Sequence, residues 1–95
     1  MVDATNERRG YRVFGRVQGV GFRWSAAKVA ERLGLRGSVR NAVDGSVEVA
    51  AEGPGHDLAR FEVWLAEGPP GSAVSRVETT EPQLPIPESG FRIVR

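Results

Sequence analysis

The 95-residue chain has no cysteine and one histidine, His56. Without thiols there is no disulfide framework, no thiolate nucleophile and no cysteine-ligated zinc. A single imidazole makes no histidine cluster for zinc or a two-metal site, and the carboxylates are dispersed as singles. Charge of one sign is also missing: 13 basic residues offset 12 acidic ones, leaving a net charge of +1. No long-range field therefore draws the chain to nucleic acid or to an anionic membrane, and any preference for anions is local. Residues 1–10 are polar and charged and lack the apolar run of a signal peptide or anchor, which points to the cytoplasm.

The length suits one small domain that buries roughly 60–70% of its unfolded surface. Residues 1–9 read as a flexible leader and 10–95 as the domain. Tyr11, Val13, Gly15 and Val17 alternate with Arg12, Phe14 and Arg16, the period of a strand with one buried face. Phe22, Ala26, Val29, Ala30 and Leu33 make a helical stripe over roughly 22–33, ended by Gly34. A hairpin follows, with Asp44-Gly45 as its turn signal and Val47, Val49 and Ala51 facing inward on its second arm. Leu58, Phe61, Trp64 and Leu65 mark a second helix, closed by Gly68-Pro69-Pro70-Gly71. Val74 to Thr80 reads as a strand, Pro82 to Pro87 as a loop and Phe91 to Val94 as a last short strand. The order is β-α-β-β-α-β plus an extra C-terminal strand. It predicts an α+β, ferredoxin-like domain: an antiparallel sheet with both helices on one face.

The segment Gly15-Arg16-Val17-Gln18-Gly19-Val20-Gly21-Phe22-Arg23 joins the first strand to the first helix. Gly19 and Gly21 allow positive φ, so that several N–H groups converge without Cβ obstruction. The helix start at Phe22 adds unpaired donors and a positive dipole end, and Arg23 offers a planar fork for phosphoryl oxygens. The loop is a candidate phosphate cradle, but it matches neither the P-loop, which needs Lys-Ser or Lys-Thr after its last glycine, nor the dinucleotide fingerprint, which needs glycine at Trp24. Asn41, near the hairpin tip, reads by itself as a turn cap.

Together, the loop and the Gly37-to-Val49 hairpin resemble the acylphosphatase family, from about Tyr11 to the C-terminus. Ala30, Leu33-Gly34-Leu35, Gly37, Phe61, Trp64, Gly68-Pro69, Ala73, Val74 and Val77 extend the likeness. The resemblance implies that the loop Gln18, Gly19, Val20, Gly21, Phe22 and Arg23 binds the substrate phosphate, with Arg23 as its cationic ligand. It also implies that Asn41 orients the attacking water, making Arg23 and Asn41 the catalytic pair. The chain departs from the family pattern at Gly21 and Ser38, where larger residues are common, and at Ala42, where threonine is. Gly21 is expected to loosen the cradle, and Ala42 removes a hydroxyl that supports the asparagine or its water.

The chemistry fits. With no nucleophile, metal cluster or strong general acid arranged, the substrate must be activated in itself. An acyl phosphate is, because its carboxylate leaving group, with a conjugate acid of pKa about 4, departs without a proton. The expected activity is metal-independent hydrolysis of a small-molecule acyl phosphate by a monomer, with no cofactor, nucleic acid or membrane partner. His56 is expected to be a surface or capping residue, Trp24 and Trp64 packing residues, and Arg16 and Arg40 solvated strand charges.

The alternative is a non-catalytic ferredoxin-like module that binds phosphate, carbamoyl phosphate or a regulatory ligand, as acylphosphatase-like domains also open a larger hydrogenase maturation protein. RNA recognition would need paired aromatics on the exposed sheet face in a Gly-Phe-Gly-Phe-like context, and no such segment is present.

Overall fold

Period-two alternation becomes strand β1 (Asn6–Arg16), with Tyr11 and Val13 buried and their neighbours turned outward. A computed structural model describes residues 6–95. After β1 come α1 (Phe22–Arg32), β2 (Arg36–Asn41), β3 (Val47–Pro54), α2 (Gly55–Glu67), β4 (Ala73–Thr80) and β5 (Phe91–Ile93). The sheet order is β4-β1-β3-β2-β5, the ferredoxin-like plan with one strand added.

Two expectations about strand extent and pairing change. Residues 6–9 of the expected leader are strand, because β3 pairs with them from Asn6↔Pro54 to Arg9↔Ala51. The rest of that leader, residues 1–5, lies outside the described residues. The sheet is also mixed: three of its four pairings are antiparallel, and edge strand β5 joins β2 in parallel, from Gly37↔Phe91 to Val39↔Ile93. The Pro82-to-Pro87 segment is responsible, since it crosses from the β4 edge to the β2 edge over the helix-free face. Ser38 Oγ donates to the Pro85 carbonyl at 2.5 Å and Arg36 to that of Pro87 at 2.9 Å. Ser38 is buried beneath this strap, where its small size suits the close approach.

Both helices pack on the opposite face. Phe22, Ala26 and Ala30 of α1 and Leu58, Phe61 and Leu65 of α2 meet Val13, Val39, Val47 and Val49 of the sheet. Each large buried side chain contributes about 1.5–3 kcal/mol. Phe61 is central, with ring centroids of Phe91 at 5.8 Å, Tyr11 at 6.3 Å and Trp64 at 6.4 Å. Trp64 packs as expected, but Trp24 is 62% exposed. At about 100° per residue it lies roughly 200° around α1 from Phe22, away from the buried stripe.

The helix-free face of β3 is buried too, with Glu48, Ala50 and Glu52 on it. Arginines on the flanking strands cover them. Glu48 accepts from Arg40 Nε at 2.7 Å and lies 3.5 Å from Arg12; Glu52 accepts from Arg8 at 2.8 Å and Arg36 at 2.5 Å. Arg40 is thus an ion-pair partner that shields Glu48, not simply a solvated charge.

The Arg36 guanidinium, helped by Arg8, holds the Glu52 carboxyl below its ordinary 4.5 in spite of burial. A depressed folded-state value means stabilisation that is present above the unfolded value and lost as pH falls through the folded one. Glu52→Gln is therefore expected to lower stability at pH 7 and to flatten the decline on acidification. Urea midpoints at pH 7 and pH 3 check this, and an unchanged acid dependence would refute it.

Candidate active site

Strands β1 and β2 are both antiparallel to β3, so they run in the same direction on either side of it. Their C-terminal ends therefore emerge at one end of the sheet. Val47, at the start of β3, pairs with Val13 on one side and Asn41 on the other. The loop leaving β1 and the last residue of β2 are brought together by this register, although 18 to 23 and 41 are distant in sequence. Asn41 shares a strand face with buried Val39 and so points to the side where α1 packs.

The loop has the backbone its glycines suggested, with φ of 77° at Gly19 and 76° at Gly21. Gly21 is the N-cap of α1 and left-handed, so a larger residue there would be strained even though a Cβ would meet open space. Here glycine relieves strain. Ser25 N–H donates to the Gly21 carbonyl at 3.0 Å, so the N–H groups of Phe22, Arg23 and Trp24 have no partner within the helix. No acidic residue occupies the first turn of α1, leaving these donors and the positive dipole end open to an anion.

A cavity of about 150 Å³ lies at this helix start, lined by Gly19, Gly21, Arg23 and Asn41 together with Phe22 and Ile93. Among the described residues, Arg23 has no ion-pair partner. Asn41 Oδ1 is buried there without a hydrogen-bond partner. A buried, unsatisfied amide oxygen is costly unless something completes it, and a water or ligand in the cavity would do so.

The structure brings Arg23 and Asn41 to one cavity, with Gly19, Gly21 and Phe22 beside them, but gives Gln18 and Val20 other tasks. Gln18 Nε2 donates to the carbonyls of Ala42 at 2.8 Å and Ser46 at 3.0 Å, tying the loop to the hairpin that carries Asn41. Val20 packs against the core. Ile93 was not found by sequence reasoning, because only the parallel docking of β5 puts it at the cavity; its place in an alternating terminal strand was the one available signal. His56 does not line the cavity and sits 3.5 Å from Asp57 at the start of α2. No group of three or more metal-ligating side chains occurs among the described residues, and no helix among them is long and apolar enough to cross a membrane.

The acylphosphatase family profile matches residues 9–93, which include every part of this cavity. The chain belongs to the acylphosphatase family. An acylphosphatase of Alkalilimnicola ehrlichii is 51% identical over 89 residues, covering 94% of this chain and 99% of the relative. The solved acylphosphatase of Coxiella burnetii superposes with a TM-score of 0.85 at 40% identity, covering 94% of this chain and 93% of that one. Full-length HypF, solved in its phosphate- and nucleotide-bound form, matches 96% of this chain over 12% of its own, with a TM-score of 0.81 and 30% identity. The acylphosphatase fold thus occurs both as most of a chain and as a small part of a larger one, and the family supports acyl phosphate hydrolysis.

Gln18 provides a sharp test of how the loop is held. Gln18→Ala removes one of two donors from each carbonyl, since Ser46 keeps the Ala42 N–H and Ala42 keeps the Gly45 N–H, and is expected to cost about 0.5–1.5 kcal/mol of stability per hydrogen bond lost. Gln18→Glu keeps the shape but sets a carboxylate against two acceptors, so at pH 7 it is expected to be worse than the alanine. Chemical unfolding of both variants checks the order, and a Gln18→Glu protein as stable as wild type would remove the tie.

Proposed function

We propose that the chain hydrolyses acyl phosphates to carboxylate and inorganic phosphate, without metal, by in-line attack of a water held by Asn41 on a phosphoryl group held by Arg23 and the loop. The observation that carries this reading is a small cavity lined by Asn41, whose Oδ1 is unsatisfied, and by Arg23, whose guanidinium has no ion-pair partner among the described residues, at a helix start with unpaired N–H groups. The amides and Arg23 are placed to stabilise charge that spreads over the equatorial phosphoryl oxygens in a loose transition state.

In this mechanism the Asn41 Oδ1 accepts a hydrogen bond from water and fixes its lone pair toward phosphorus. The new P–O bond forms as the bond to the acyl oxygen breaks, and its electron pair leaves with the carboxylate. An amide is no base, so the water's proton passes to a phosphoryl oxygen of the substrate. The carboxylate needs no acid to depart. Such a site works within one protomer, since every group it uses lies on this chain.

The match to a small part of HypF favours one second reading, a phosphate-binding module without turnover. Hydrolysis of benzoyl phosphate by the purified protein separates the two. Absence of turnover at high enzyme concentration, with phosphate still bound, would favour the module.

Asn41 and Arg23 are expected to fail differently when removed. Asn41→Ala should mainly lower kcat, by roughly 10²–10³, with competition by inorganic phosphate retained. Arg23→Ala should lower kcat and weaken that competition as well. Steady-state kinetics with phosphate as inhibitor checks both, and the opposite pattern would reverse the assignment.

Neither a guanidinium nor an amide changes charge across roughly pH 5–8, so activity there should follow only the substrate's own titration. A chelator should leave the rate intact, and His56→Ala should keep kcat and the pH profile. Loss of turnover in His56→Ala with the fold preserved by circular dichroism, or chelator inhibition reversed by metal, would overturn substrate-assisted, metal-free hydrolysis.

A further inference from the structure

Trp24 is a wall of two cavities. One is the proposed phosphoryl site; the other, about 330 Å³, lies between α1 and the chain that leaves α2. Trp64, Pro69 and Pro70 supply apolar surface to this second groove, and among the described residues the charged ones lining it are Lys28 and Arg32. Trp24, Lys28 and Arg32 recur every four residues and form one stripe along α1. Lys28 Nζ lies 5.5 Å from the Trp24 ring centroid, as expected of a helical side chain that leans toward the N-terminus. Neither cation pairs with a carboxylate among the described residues.

An exposed indole and two free cations thus continue directly from the place where the phosphoryl group is held. From Arg23 to Lys28 is five residues, or roughly 7–8 Å of helix at 1.5 Å per residue. A short acyl group or one aromatic ring, pointing away from the phosphoryl site, spans a comparable length. The leaving acyl group must point somewhere, and this groove offers it an apolar wall with positive charge at the far end.

We propose that the groove is an acyl-group subsite selecting acyl phosphates with a flat or apolar body that ends in a second anionic group, carboxylate or phosphoryl. Trp24 takes the body and Lys28 and Arg32 take the distal anion. The inference rests on the phosphoryl group being held at Arg23. It makes Lys28 and Arg32 specificity residues that do not touch the reacting atoms.

The test uses a matched pair of substrates, 4-carboxybenzoyl phosphate and 4-methylbenzoyl phosphate, which differ at the distal position in charge and little in size. Wild type is expected to favour the carboxylate in kcat/KM by roughly three- to tenfold at low salt, mostly through KM, and to lose this preference as salt screens it. The double variant Lys28→Gln, Arg32→Gln is expected to bring the ratio to about one while hydrolysing the methyl substrate at the wild-type rate. A wild-type ratio of one or less, or a preference that survives the double variant, overturns the subsite and leaves the hydrolytic reading intact. Failure of both substrates to turn over with wild type overturns the hydrolytic reading and the subsite with it.

Discussion

Strand β3 is paired along both edges and covered on both faces, and the remainder of the molecule is arranged around that condition. On one face Val47, Val49 and Ala51 meet the helices, so burial of apolar surface supplies the stabilisation. On the other, Glu48 and Glu52 are enclosed by arginines from β1 and β2. Buried carboxylates without those partners would be strongly unfavourable, so the flanking strands satisfy β3 electrostatically as well as through the backbone. The proline-rich strap completes the cover over Ser38 and delivers β5 to the far edge.

The same arrangement makes the site. Because β1 and β2 both run antiparallel to β3, the loop that follows one and the last residue of the other must meet at one end of the sheet. Gln18 then fixes their separation by bonding the loop to the hairpin turn. The catalytic proposal needs little else from the protein: helix-start amides, one guanidinium and one amide oxygen, all held by elements whose stability comes from elsewhere. This suits chemistry in which positioning and charge stabilisation suffice.

Much of this was legible in the chain. Phe22, Ala26 and Ala30 announce α1, Asp44-Gly45 announces the hairpin, and the positive φ of Gly19 and Gly21 follows from their place in a loop that must turn into a helix. The family likeness put Arg23 and Asn41 together, and both line one cavity. Trp24 was misread because an indole is usually buried, and only its angle around α1 shows that it is not. The edge position and parallel direction of β5 were not legible either, since three residues carry no record of which strand they will join.

What the sequence by itself determined is local: the period of each strand and helix, the turns, the absence of thiols, and the residue types able to meet a phosphoryl group. Periodicity and φ preference act over a few neighbours and can be read there. Which side chains share a cavity was decided only by the tertiary structure, through the register that sets Val47 between Val13 and Asn41, the tie from Gln18, and the docking of Ile93. Those contacts join residues distant along the chain, and their geometry exists only once β3 has been buried between its neighbours.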